Sequence, residues 1–271
     1  MRITALGSGS RGNSLLLESS DTRVLLDAGY SPRMMELRLA DAGVAPESVE
    51  AVIVTHEHTD HARGAAVCAD KWGWRFLATS GTISGCFDLP EKEPEVLPSI
   101  GTFRIGAFDF ETVPTSHDAD DPVAVVVTAR SSGARAAVVY DLGAITDGVR
   151  RAIASVDILV IESNHDPEML RNGPYPVVVQ RRIASRHGHL SNYAAARAAS
   201  DCAHRSMSHV ILAHLSQQNN TPGLATRTMA RALARTNFRG MITALEQDRV
   251  SLTFSPRHAT RPVPLQLALA L

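Results

Sequence analysis

The chain has 271 residues, 44% of them hydrophobic and 20% charged, with a formal net charge of −1. That balance supports a full globular core and argues against disordered and fibrous classes. The aromatic content of 5% argues against a continuous base-stacking platform, and the near-neutral charge confines any nucleic-acid contact to a local basic patch.

In chain order, residues 3–6 and 15–18 read as strands around a Gly/Ser-rich loop, Gly7-Ser8-Gly9-Ser10-Arg11-Gly12-Asn13-Ser14. A third strand, 24–26, stops at Asp27-Ala28-Gly29, and helical spacing over 32–43 ends at Gly43. An apolar strand over 49–55 runs straight into a histidine cluster. Residues 65–75 read as helix, 76–79 as extended, and 88–99 as turns. Further strands are expected at 103–113, 123–128, 136–140, 157–162 and 209–213, with a final pair near 241–245 and 249–254. Helices fit 146–154, 191–204 and 222–236, and residues 256–271 read as a tail. Two rounds of strands followed by helices predict an α/β layered sandwich of two sheets with helices on both outer faces, in one domain over 1–271.

Cys68, Cys86 and Cys202 form no CxxC pair, which argues against a disulfide framework or a zinc knuckle. The N-terminus lacks the apolar core of a secretion signal, and no run approaches the ~18 apolar residues of a membrane span. A cytoplasmic protein without membrane contact is expected.

The decisive segment is Thr55-His56-Glu57-His58-Thr59-Asp60-His61, three imidazoles and two carboxylates leaving the end of an apolar strand. A loop in that position turns alternate side chains toward one point, so His56 and His58 can share an ion while Asp60 and His61 reach a second. Imidazole and oxygen donors without thiolate suit Zn, Mn or Fe. Two metal sites need further ligands. His117, Asp141 and His214 each follow an apolar strand and are the candidates, with Asp141 placed to bridge.

This order, His-x-His-x-Asp-His followed by His117, Asp141 and His214, resembles the metallo-β-lactamase superfamily over nearly the whole chain. The resemblance implies a four-layer αβ/βα sandwich with two mixed sheets. It also implies two divalent metal ions: His56, His58 and His117 would hold one, Asp60, His61 and His214 the other, and Asp141 would bridge them. Asp27 matches an early aspartate that supports the metal loop by hydrogen bonding. The motifs Gly7-Ser8-Gly9-Ser10, Gly12-Asn13-Ser14, Asp141-Leu142-Gly143, Glu162-Ser163-Asn164-His165-Asp166, Gly188-His189-Leu190-Ser191-Asn192 and His214-Leu215-Ser216-Gln217 are similar to the YycJ (WalJ) subfamily. That subfamily implies a DNA exonuclease acting 5′→3′, with a metal-bridging hydroxide as nucleophile.

The loop around His189 resembles the Gly-His-Ser-Thr loop of tRNase Z, which makes His189 the candidate general acid and Glu162 its partner; a loop or capping histidine is the alternative. Asp60 counts as a catalytic group as well as a ligand. The segment 169–200 holds five arginines and no acid. Arg181, Arg182, Ser191 and Asn192 are therefore candidate substrate contacts, against the alternative of a solvated face. Residues 7–14 either offer amides to a phosphate or form a tight hairpin. His165 has no assigned role, and no protein partner is indicated.

Departures from the relatives also carry information. The interval from Asp141 to His214 is too short for a β-CASP domain, and no long arm of the tRNase Z kind is present. Asp141 stands where true β-lactamases generally place a cysteine, which disfavours that activity. Three other functions stay open: a small-molecule phosphodiesterase of the PhnP type, a thioester or lactone hydrolase, and a metal-containing nucleic-acid-binding protein without catalysis.

Overall fold

The computed structural model describes residues 1–257, so the expected tail, apart from its first two residues, lies outside the described residues. Six strands form one sheet in the order of the chain: β1 (Arg2–Gly7), β2 (Ser14–Ser19), β3 (Thr22–Leu26), β4 (Ala51–Ile53), β5 (Arg75–Thr79) and β6 (Glu95–Leu97). The second sheet has seven: β7 (Gly101–Ile105), β8 (Phe108–Pro114), β9 (Val123–Ala129), β10 (Arg135–Val139), β11 (Ile158–Glu162), β12 (His209–Ala213) and β13 (Met241–Ala244). Both sheets are mixed. β1–β3 are antiparallel and β3–β6 parallel, while β7–β10 are antiparallel and β10–β13 parallel.

Strand alternation builds the layers, because successive side chains point to opposite faces. Val24 and Leu26 of β3 face the same inter-sheet core as Val138 of β10 and Val160 of β11. Leu25 turns outward onto Met35 and Leu39 of α1 (Pro32–Asp41). On the far side Val139 and Ile161 meet the outer helices. The helices after α1 are α2 (Thr59–Ala62), α3 (Ala65–Trp72), α4 (Ser80–Gly85), α5 (Asp147–Ile153), α6 (Pro167–Asn172), α7 (Val177–Ile183), α8 (Asn192–Cys202) and α9 (Pro222–Leu233). α1 and α3 cover the first sheet, and α5, α8 and α9 cover the second. This is the layered sandwich expected from the sequence, with two mixed sheets between helices. Among the described residues no helix is long and apolar enough to cross a membrane.

Some elements differ from expectation for local reasons. The single strand expected at 103–113 is a hairpin, β7 and β8, that turns at Gly106 with φ +48°. The apolar alternation changes phase there, from Phe103 and Ile105 to Phe108 and Phe110, the mark of a turn rather than of one continuous strand. The helix expected at 65–75 stops at Trp72, because Gly73 adopts φ +74° and caps it. Residues 249–254 make no strand beside β13; Phe254 instead bridges to Ile3 of β1. The short helices α2, α4, α6 and α7 give no clear periodic signal.

Candidate metal centre

The candidate ligands and their carboxylate supports sit at, or just beyond, the C-terminal end of a strand. Asp27 follows β3, His56–His61 follow β4, His117 follows β8, Asp141 follows β10, Glu162 ends β11 and His214 follows β12. Three of these, Asp27, Asp141 and His214, hold left-handed backbone with φ of +62°, +52° and +54°. Non-glycine residues in that region cost on the order of 1–3 kcal/mol, and such strain persists only where the surroundings over-determine it. Each strand end is thus kinked so that its side chain points to a shared centre.

The ligand atoms of His56, His58 and His117 lie within 4.8 Å of one another, as do those of Asp60, His61 and His214, and those of His56, His61 and Asp141. The structure thus brings together the residues of each triad read from the sequence, with Asp141 beside His56 and His61. The donors fit a pair of cations in a specific way, because each imidazole is held from behind. His61 Nδ1 faces Asp27 Oδ2 at 2.7 Å, and His56 Nδ1 lies 3.1 Å from Thr55 Oγ1. His117 Nδ1 faces the Gly188 carbonyl at 3.1 Å, and His214 Nδ1 faces Glu162 Oε1 at 3.0 Å. His58 is held the other way round, by Nε2 against the Asp118 carbonyl at 3.2 Å. That leaves Nε2 of four rings and Nδ1 of His58 turned inward, where His117 Nε2 lies 3.3 Å from His58 Nδ1. Anchoring of the second ring nitrogen is the arrangement metal-ligating histidines use. Buried His56 Nε2 has no hydrogen-bond partner among the described residues, a costly state for a polar atom that a cation would relieve, and Asp141 Oδ2 lies 2.8 Å from His61 Nε2.

The electrostatics fit the same reading. Burial and the neighbouring His61 hold the His56 imidazole well below its ordinary pKa. Burial opposes charge on His61 too, but Asp141, Asp27 and Asp60 together raise it well above the ordinary value. Burial raises Asp141, yet His214 and His61 outweigh it and hold the carboxyl well below its usual range. His214, despite burial, is raised to about 9 by Asp141, Asp60 and Glu162. The centre is therefore rich in negative charge that attracts cations of any kind.

His189 Nδ1 lies 2.7 Å from Glu162 Oε1 and 3.3 Å from Asp141 Oδ1, with the side chain 23% exposed. Its ring sits between those of His117 and His214, 5.2 Å from each by centroid. Burial lowers its basicity, but Glu162 and Asp141 more than offset this and keep it well above the ordinary imidazole value. Glu162 does more than the sequence indicated. Its Oε1 serves both His189 and His214, while Oε2 accepts from the Leu142 and Leu190 amides at 3.1 and 3.0 Å.

The remaining candidates fall in different places. Asn192 is 1% exposed, and its amide is spent on Ser163 Oγ (2.6 Å) and Asn220. A buried, saturated amide cannot meet a substrate, so the expectation for Asn192 is corrected. Ser191 Oγ accepts from the Ala194 amide and caps α8. Arg181 and Arg182 lie exposed on α7, and the Arg182 guanidinium pairs with Asp118 beside the first triad. His165 is 3% exposed, and burial lowers its pKa to about 4, leaving a neutral ring.

Loop 7–14 is not a phosphate cradle. The amides of Ser8, Gly9, Arg11, Gly12 and Asn13 are all donated within the protein. It is a clamp on the metal loop, a role that sequence reasoning missed. Asn13 Nδ2 lies 3.0 Å from His61 Nε2 and donates to Asp60 Oδ2 at 3.3 Å, while Ser8 Oγ accepts from the His214 amide at 2.8 Å. Gly29 allows the close approach, because a Cβ there would lie 1.8 Å from the Asp60 carbonyl oxygen. The only sequence signal was the motif Gly12-Asn13-Ser14 itself. Asn13→Ala is expected to weaken metal binding by about 10–100-fold, the usual cost of losing an outer partner; titration calorimetry with Zn or Mn checks this.

The fold and this centre define the class. Residues 22–215 match the family model described as beta-lactamase superfamily domain, and the chain belongs to that family, the metallo-β-lactamase superfamily. Among curated proteins it is 33% identical to exodeoxyribonuclease YycJ of Bacillus anthracis, over 88% of this chain and 91% of the relative. It is 34% identical to exodeoxyribonuclease WalJ of Streptococcus pneumoniae, over 86% and 88%. Among solved structures, the metallo-beta-lactamase fold protein YhfI from Bacillus subtilis superposes with a TM-score of 0.68 at 18% identity, covering 92% of this chain and 98% of that one.

Proposed function

We propose that this protein is a metal-dependent DNA exonuclease acting 5′→3′, with the two triads and Asp141 as its metal ligands and His189 as its proton donor. The observation that carries the reading is the similarity to two bacterial exodeoxyribonucleases over most of the chain. The imidazole and carboxylate donors suit Zn, Mn or Fe. Bound ions supply Lewis-acid polarisation of the phosphate and a lowered pKa for an attacking water.

The protein's own residues do the rest. His56, His58 and His117 would hold one ion and Asp60, His61 and His214 the other, with Asp141 a ligand shared by both sites. Asp27, Thr55, Gly188 and Glu162 keep the rings turned inward. Asp60, with 21% of its side chain open to solvent, is the carboxylate placed to orient the incoming water. His189, pinned through Nδ1 by Glu162, delivers a proton to the departing oxygen from its other nitrogen, which has no partner among the described residues.

Arg181 and Arg186 have no ion-pair partner among the described residues, and they line the approach with Arg182 as candidate phosphate contacts. Charge reversal at Arg181 and Arg182 is expected to weaken DNA affinity and to flatten its salt dependence by about one log–log unit for each phosphate left unneutralised. Filter binding across a salt series checks this.

The function itself is tested with 5′-labelled single- and double-stranded DNA and RNA and added Mn or Zn, beside a small phosphodiester and a thioester. Stepwise loss of nucleotides from 5′ ends of DNA is the expected result. Turnover of the small phosphodiester alone moves the function to small-molecule hydrolysis on the same centre.

A further inference from the structure

One feature at the rim of the centre takes no part in this chemistry. α7 opens with three consecutive valines, Val177, Val178 and Val179, which are 59%, 73% and 37% exposed. Three β-branched apolar residues in a row suit neither a solvent-facing helix nor a turn. The segment that carries them is nevertheless fastened to the metal centre. Ser116 Oγ donates to the Arg186 carbonyl at 2.7 Å, the Gly188 carbonyl faces His117 Nδ1 at 3.1 Å, and Arg182 pairs with Asp118. Residues four apart share a helix face, so Val178 lies one turn from Arg182 on the face that reaches the first triad, and Val177 stands over Arg181.

The surroundings indicate what the valines meet. Segment 169–200 contributes Arg171, Arg181, Arg182, Arg186 and Arg197 without a single Asp or Glu. Of these, Arg182 pairs with Asp118, while Arg181 and Arg186 have no ion-pair partner among the described residues. An apolar turn set among such cations matches a polyanion whose interior is apolar, a nucleic-acid strand with its bases turned inward. The centre also favours an opened end. Asp141 is 2% and His61 0% exposed, while Asp60 and His189 have 21% and 23% of their side chains open to solvent. A strand therefore approaches the centre from that side, and its terminal phosphate reaches the centre more readily once its base is unpaired.

We propose that Val177 and Val178 form a wedge that enters the stack at a duplex end, while Arg181 and Arg186 hold the phosphates of the strand being led to the metal centre. This deepens the exonuclease reading and rests on it. Apolar side chains pushed between base steps offset the cost of unstacking, and bases tolerate such contact whatever their sequence.

The test uses Val177→Ser with Val178→Ser in the full-length, metal-loaded protein. It compares initial rates on a blunt duplex, on the same duplex with its last three pairs mismatched, and on the labelled strand alone. The expected result is a fall of about tenfold or more in the ratio of duplex to single-strand rate, with the mismatched end restoring the ratio. A ratio unchanged by the double substitution overturns the wedge, as does a wild-type protein that digests only single strands. A wild-type protein that digests no DNA in any form overturns the exonuclease reading and the wedge with it. Because both side chains face solvent, the fold does not depend on them, and thermal unfolding of the variant is expected to match the wild type.

Discussion

Asp141→Ala is expected to reduce metal content from two ions per chain to less than one and to lower turnover by on the order of 10³-fold or more, the rate equivalent of several kcal/mol of lost charge stabilisation. Asp141 stands between the triads, its ligand atom within 4.8 Å of those of His56, from the first, and His61, from the second. Its oxygens are 2.8 Å from His61 Nε2 and 3.1 Å from His214 Nδ1. Without it, the buried imidazoles of His61 and His214 lose a main source of the negative potential that raises their basicity. Elemental analysis of dialysed protein reads the first quantity and the labelled-DNA assay the second. Two tightly held ions in the alanine variant would remove Asp141 from the bridging position. Urea unfolding run in parallel distinguishes this from collapse of the fold.

His189→Ala is expected to behave in the opposite way, keeping both ions and losing about 10²–10⁴-fold in turnover, the usual contribution of a positioned general acid. The separation is possible because His189 belongs to neither triad and reaches the cluster through Asp141 and Glu162. A substrate with a better leaving group needs less protonation, so an activated aryl phosphodiester should recover much of the loss. An equal loss on activated and ordinary esters would point to a structural imidazole. Glu162→Gln is the informative companion. Since Glu162 Oε1 serves His189 and His214 together, that variant is expected to lose metal affinity by about 10–100-fold as well as turnover.

The centre was legible where chemistry is concentrated in sequence. His56 to His61 declare themselves by density, and His117, Asp141 and His214 by following apolar runs that could only be buried strands. What was not legible depends on which strand lies beside which. Asn13 reaches His61 across the chain because β1 and β2 fold beside β3, and nothing in its neighbours encodes that meeting. The double duty of Glu162 requires β11 between β10 and β12 in parallel register. Asn192 followed a motif histidine and so suggested a surface role, but Ser163 and Asn220 draw it inward. The short helix α7 was missed because an element of two turns carries too little periodicity to register.

The donors divide between the two sheets: His56, His58, Asp60 and His61 leave the first, whereas His117, Asp141 and His214 leave the second. Neither sheet alone holds a complete set, so an ion bound by this set fastens the two together. During synthesis four donors leave the ribosome early, but the set closes only when His214 arrives behind β12. A centre built in this order stays incomplete on the nascent chain until most of the protein has been made.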